Sequence, residues 1–182
     1  MYTVGSVRDY EHFLGSLARA LSYMFTERED YAEFRWLRDA RVESVFDSLF
    51  RNLVHEPKWL AKYPRVDEGG DFRRFLGLRR LMSARYVAGL SIYRADLLKN
   101  SEIESMPHPS PAFRGAAAAP MLSSFLKERF DEEWWRVPDV GEFLKRLWRD
   151  GGRITFEELS AKTVEMPGGA DYLRRVIEDE ID

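Results

Sequence analysis

The residues best suited to metal or acid–base chemistry are three histidines, because the chain of 182 residues contains no cysteine. His55 precedes Glu56, but the zinc-binding pattern H-E-x-x-H needs a second histidine four residues after the first, where this chain has Trp59. His12 has no partner at a spacing typical of metal ligands, and His108 lies between two prolines, as loop residues often do. The histidines therefore predict no metal site. No glycine-rich phosphate loop or nucleophile elbow is present, so no cofactor is predicted.

A second group with possible chemistry is the arginine-rich segment FRRFLGLRRLMSAR, residues 72–85. Its arginines alternate with apolar positions of one helix, and the whole chain has a formal net charge of −3. Domains that bind nucleic acid usually carry a strongly basic face. These arginines are therefore predicted to form a solvated helix face, with no nucleic-acid partner and no anionic membrane surface.

A glycine-serine pair interrupts an amphipathic segment, DYEHFLGSLARALSYMFT, residues 9–26. Glycine inside a helix costs about 0.5–1 kcal/mol relative to alanine. Gly15 and Ser16 therefore indicate either a position that needs space or the loss of a functional side chain.

Helices must position all of these residues, since apolar side chains recur at helical spacing along most of the chain. The first helix is predicted from Val7 to about Phe25, with Ser6 as its cap and Asp9 in the capping-box position. The other predicted helices are 40–56 after the cap Asp39, a short turn at 57–63, 71–99, 111–130, 139–150, 156–164 after a capping box of Thr155 and Glu158, and 170–181. The segments 26–34 and 100–113 are predicted to be loops.

The composition fits one folded domain. Hydrophobic residues make up 45% of the chain and aromatic residues 14%, which excludes a disordered chain. No strand pair is recognised, so we expect an all-α fold with about seven or eight helices in a single compact domain over residues 1–182. The start of the chain lacks the pattern of a secretory signal, and no run of 18 apolar residues occurs, so a cytoplasmic location is expected.

Three blocks in this order resemble the C-terminal half of M3-type zinc oligopeptidases, the thimet oligopeptidase and oligopeptidase F group. They are GSVRDYEHFLGSLARALSYMFT, residues 5–26; EFRWLRDARVESVFDSLFRNLVHEPKWL, residues 33–60; and FLKERFDEEWWRVPDVGEFLKRLWRDGGRITFEELSAK, residues 125–162. The resemblance is collinear over nearly the whole chain. It implies the helical C-terminal part of an M3 catalytic domain.

The resemblance also implies where a zinc site would lie, and this chain departs from it at each position. In the family, H-E-x-x-H binds zinc and supplies the base, and a glutamate of the next helix is the third ligand. The pattern falls on Gly15 and Arg19 as ligand positions and on Ser16 as the base, while the third ligand falls on Ser44. Glycine has no ligand atom and arginine is a permanent cation, so the metal site is predicted to be lost. Glu43 lies one residue away, about 100° around the helix.

The expected function is therefore that of a non-catalytic pseudo-peptidase, which binds peptide or acts as a regulatory or scaffolding subunit. Its residual cleft is expected to hold Arg19, Glu43, His108 and Phe113, with Arg19 paired to Glu43 or another carboxylate. Two alternatives stay open, a zinc metallopeptidase completed by another chain and an unrelated helical interaction domain. Because the chain is shorter than members of that family, we expect a homodimer or a partner subunit over the first helix.

Overall fold

The computed structural model describes residues 5–27, 31–64, 70–100, 111–163 and 169–181. These residues form α-helices joined by short 3₁₀ turns, and no strand occurs among them, which confirms the all-α class. The helices are α1 (Val7–Met24), α2 (Ala32–Trp36), α3 (Ala40–Arg51), α4 (Pro57–Lys62), α5 (Gly70–Asn100), α6 (Pro111–Arg129), α7 (Pro138–Arg149), α8 (Phe156–Thr163) and α9 (Gly169–Ile181). None of these described helices is long and apolar enough to cross a membrane.

The predicted helix starts are confirmed by their caps. The Ser6 side chain accepts a hydrogen bond from the Asp9 backbone N–H, and the Asp9 carboxylate accepts one from the Ser6 backbone N–H at 3.0 Å. Asp39 Oδ1 accepts from the Arg41 backbone N–H at 2.8 Å and so caps α3. These side chains satisfy backbone donors that a first helical turn leaves without partners.

One helix was missed. Helix α2 lies partly inside the segment that was predicted to be a charged loop, and it has only five residues. A segment so short cannot display helical periodicity. It packs against the 3₁₀ turn Gly151–Arg153, where Gly151 has a φ of +54°, a left-handed conformation that favours glycine. The predicted loop 100–113 lies mostly outside the described residues, and α6 begins at Pro111.

Helix α3 is the central helix, because it packs against both α1 and α6. It buries Val45, Phe46 and Leu49, and Phe46 meets Trp148 of α7 edge to face with 5.7 Å between ring centroids. Contact with α6 is close because that helix presents a run of small side chains. Helix α9 packs on both α5 and α6.

Candidate binding cavity

Gly15 lies buried in the contact between α1 and α3, opposite an ion pair within α3. A methyl group at Gly15 would lie 2.6 Å from both Asp47 Oδ1 and Arg51 Nε. The Arg51 guanidinium donates hydrogen bonds to the Asp47 carboxylate, which fixes both side chains one helical turn apart. The glycine is thus explained by the space that this ion pair needs, and loss of a ligand is not required to account for it.

Arg19 joins α1 to the same carboxylate. Its Nε lies 3.4 Å from Asp47 Oδ1, with the Arg19 side chain 50% exposed and the Asp47 side chain 19% exposed. The carboxylate partner expected for Arg19 is therefore Asp47. Glu43 instead accepts a hydrogen bond from the Tyr23 hydroxyl at 2.7 Å, which raises the pKa of Tyr23.

The other predicted site residues do not lie together in the structure. Ser16 is exposed to solvent on α1, and Ser44 faces α6, where it touches Gly115. Phe113 is half-buried in the first turns of α6 and lines neither of the two cavities described below. His108 lies outside the described residues. All four positions that the resemblance aligns with zinc-site residues lie on α1 or α3, but Ser16 is exposed to solvent and Ser44 faces α6, so the four do not form one site.

A cavity of about 330 Å³ opens beside this contact, between α3, α5 and α6. Ser44 and Asp47 form one wall, and Ser83 of α5 and Ala116 of α6 lie on others. Its charged lining residues are Glu11, Asp47, Arg51, Arg79 and Arg80. Arg79 pairs with Glu11 and so joins α5 to α1, and Arg51 pairs with Asp47 within α3. The cavity therefore offers both hydrogen-bond donors and carboxylate acceptors to a ligand.

A second cavity of about 240 Å³ lies on the other side of His55 and Arg80, which line both. Arg80 donates a hydrogen bond to Glu180 of α9, and His55 Nδ1 lies 3.4 Å from Glu180 Oε2. His55 Nδ1 and Glu180 Oε2 are both buried, and neither atom has a hydrogen bond within the described part of the chain. Burial, and next the Arg80 charge, lower the pKa of His55, while Glu180 opposes the shift. Burial therefore favours the neutral form of the His55 imidazole.

Close packing of α9 on α5 brings Glu180 to His55 and Arg80. Gly77 makes it possible, because a methyl group there would lie 2.9 Å from Glu180 Cβ and 3.0 Å from Ile181 Cγ1. The sequence pattern predicts no metal-binding role for His55 and does not single out Asp47 or Glu180. Gly77, a glycine among the apolar positions of α5, is the one sequence feature that indicates close packing there. The spacing of residues 55, 80 and 180 does not link them.

Within the described ranges no group of three or more His, Asp or Glu side chains could hold a metal ion. The residues aligned with the zinc site do not fit zinc either, because Gly15 has no donor atom and Arg19 carries a positive charge. A scan against protein-family models and searches of curated proteins and of solved structures give no match for this chain.

Proposed function

We propose that this chain is a non-catalytic relative of M3-type zinc oligopeptidases that binds short peptides in the cavity between α3, α5 and α6. The cavity itself is the observation that carries the proposal. Its volume of about 330 Å³ is in the range of ligand-binding pockets. Its three arginines and two carboxylates are paired with each other or with Glu180, and a guanidinium or carboxylate in such a pair keeps further hydrogen-bond donors or acceptors for a ligand. A free peptide carries an α-carboxylate at one end and an α-ammonium at the other, so a lining of both signs suits it.

The contact between α1 and α3 supports the non-catalytic part of the proposal. The positions that resemble zinc ligands lie on two adjacent helices, and Asp47 joins those helices through Arg19. An ion pair thus bridges α1 and α3, the two helices that a bound metal would bridge in the family that the chain resembles. The ion pair holds the helices together but supplies no Lewis acid and no metal-bound water.

Titration calorimetry with tripeptides tests peptide binding. We expect alanine and leucine tripeptides with free ends to bind, and the same peptides acetylated and amidated at their ends to bind at least about tenfold more weakly, since the charged ends lose their ion pairs. The zinc-peptidase alternative would instead give hydrolysis of these peptides.

Two variants localise the binding. Ser83→Trp places a large side chain at the mouth of the cavity, where Ser83 is exposed, so it blocks entry without disturbing the core. Ala161→Trp makes the same kind of change on an exposed position of α8, away from the cavity. Loss of binding in Ser83→Trp and unchanged binding in Ala161→Trp are expected. Equal binding by both variants, or no binding by the unmodified protein, would refute the proposal.

A further inference from the structure

The second cavity, of about 240 Å³, contains two buried polar atoms without partners. Both belong to residues that line it, since the His55 side chain is 7% exposed and the Glu180 side chain is 12% exposed. His55 Nδ1 and Glu180 Oε2 are 3.4 Å apart, and neither has a hydrogen bond within the described ranges. Buried polar groups are normally hydrogen-bonded, because an unpaired one loses its bonds to water without compensation. A polar ligand group that reaches both atoms would supply the missing bonds.

The charges around these two atoms favour an uncharged ligand group. Arg80 pairs with Glu180 and Lys127 pairs with Glu56, so four of the charges that line the cavity are already balanced. The remaining two are exposed and have opposite signs. An ammonium group or a metal ion would bring a further positive charge beside Arg80, and an anion would meet the Glu180 carboxylate. The charged residues of the lining are Glu56, Arg73, Arg80, Lys127, Asp179 and Glu180.

The hydrogen-bonding groups of His55, Arg80 and Glu180 specify that uncharged group. Glu180 Oε2 can only accept, so the ligand must donate to it. Burial favours the neutral imidazole of His55, whose Nδ1 also accepts when the ring proton is on Nε2. Arg80 uses one N–H group toward Glu180 Oε1 and keeps others for a ligand carbonyl. A primary carboxamide matches all three residues, because it has two N–H donors on one nitrogen and a carbonyl acceptor.

We propose that the second cavity binds a primary carboxamide, with its nitrogen between His55 Nδ1 and Glu180 Oε2 and its carbonyl oxygen at Arg80. The cavity is smaller than pockets that hold drug-sized ligands, so the chain that carries the carboxamide has only a few carbon atoms. Both a free small amide and a glutamine or asparagine side chain of a peptide have this chemistry. The proposal does not rest on peptide binding in the cavity between α3, α5 and α6. The apolar part of the lining, against which the short chain would lie, consists of Pro57, Leu76, Pro120 and Val176.

Chemical-shift titrations of the isotope-labelled protein with four small molecules of similar size test the proposal. Propionamide is the carboxamide probe, propionate has the same shape without N–H donors, propylammonium carries a positive charge, and propanol has a single donor. We expect propionamide to bind at least about tenfold more tightly than each of the others, because it alone forms all of these hydrogen bonds and adds no charge. Equal or tighter binding of any of the other three, or no binding of propionamide, would overturn the proposal.

Substitutions locate the binding at the two buried atoms. His55→Phe removes Nδ1 but keeps an aromatic ring, and it is expected to weaken propionamide binding at least about fivefold, whereas His12→Phe at an exposed position of α1 is not. Glu180→Gln is expected to have a similar effect, and Glu178→Gln at an exposed position of α9 is expected to have none. Circular dichroism checks that each variant folds, and His55→Phe leaves the pair of Arg80 and Glu180 intact if Glu180→Gln does not fold. Unchanged binding in a folded His55→Phe or Glu180→Gln variant would place propionamide elsewhere and contradict the assignment.

Two further titrations identify the source of the carboxamide and separate this site from the peptide cavity. Tighter binding of an acetylated glutamine methylamide than of propionamide would support a peptide side chain as the ligand, and the reverse order would support a free amide. Ser83→Trp blocks the cavity between α3, α5 and α6, and Ser83 does not line the second cavity. We expect propionamide binding to be unchanged in Ser83→Trp, so the two proposals succeed or fail separately. Loss of propionamide binding in that variant would rule out a separate site.

Discussion

At the scale of single residues, Asp47 connects the features that the sequence left unexplained. Its carboxylate meets Arg51 on its own helix and Arg19 on α1, and Gly15 leaves the space that the carboxylate occupies. Removing this carboxylate should lower the stability of the folded state more than removing one of the arginines. Its loss leaves both cations without this partner.

Replacing Asp47 should therefore cost more stability than replacing Arg19. We expect Asp47→Ala to lower the free energy of unfolding by about 1–3 kcal/mol, the usual cost of leaving a partly buried charged group without its partner. Arg19→Met should cost less than about 1 kcal/mol, because Arg19 is half exposed. Urea denaturation measures both, with Glu128→Ala, an exposed carboxylate of α6, as the control. A neutral Asp47→Ala would contradict this account of the contact.

The buried His55 should make stability depend on pH. Its pKa is lowered in the folded state, so below about pH 6.5 the unfolded chain binds a proton that the folded protein does not. Stability is then fully present above pH 6.5 and is lost as the pH falls, at up to about 1.4 kcal/mol per pH unit. Arg80 of α5, Glu180 of α9 and Glu11 of α1 are the charged groups that act on it.

A His55→Gln variant tests this dependence, because glutamine cannot titrate. The free energy of unfolding of the variant should fall less steeply between pH 7.5 and pH 5 than that of the unmodified protein. His12→Gln is the matched control, since His12 is exposed on α1. Parallel pH profiles for the unmodified protein and His55→Gln would show that His55 is protonated equally well in both states.

At the scale of helices, a glycine of α6 lies in a close helix–helix contact, whereas a glycine of α5 faces open space. A methyl group at Gly115 of α6 would overlap the backbone of Ser44, whereas one at Gly89 of α5 would meet nothing. The α3–α6 contact therefore has no space for even one more carbon, while the outer face of α5 has ample space.

Alanine at these two glycines should consequently have opposite effects. Gly115→Ala is expected to lower the free energy of unfolding by about 1–3 kcal/mol, because backbone atoms of α3 must move. Gly89→Ala should raise it by about 0.5–1 kcal/mol, since alanine is the better helix former at an open site. Thermal unfolding of the two variants measures both, and a Gly115→Ala variant as stable as the unmodified protein would rule out the close α3–α6 packing.

Helices could be predicted from sequence because their signals are local. Helices are capped at the predicted positions by Ser6, by Asp39 and by the Thr155–Glu158 pair. The cavity and the Asp47 contact could not be predicted, since they depend on side chains brought together from helices distant in sequence. His55 and Glu180 are 125 residues apart, and only the packing of α9 on α5 at Gly77 joins them.

At the scale of the whole molecule, the helices surround two polar cavities, and His55 and Arg80 line both of them. The cavity between α3, α5 and α6 is proposed to bind peptide.

The ion pair between Arg19 and Asp47 joins α1 to α3, and we propose that no catalytic metal binds between these helices. Elemental analysis of the purified protein, after incubation with zinc and removal of the excess, tests for such a metal. We predict less than about a tenth of an equivalent of zinc, because a catalytic site needs about three protein ligands and the aligned positions Gly15, Arg19 and Ser44 supply none. A full equivalent of zinc that is lost in Asp47→Ala would contradict the claim and make this contact a metal site.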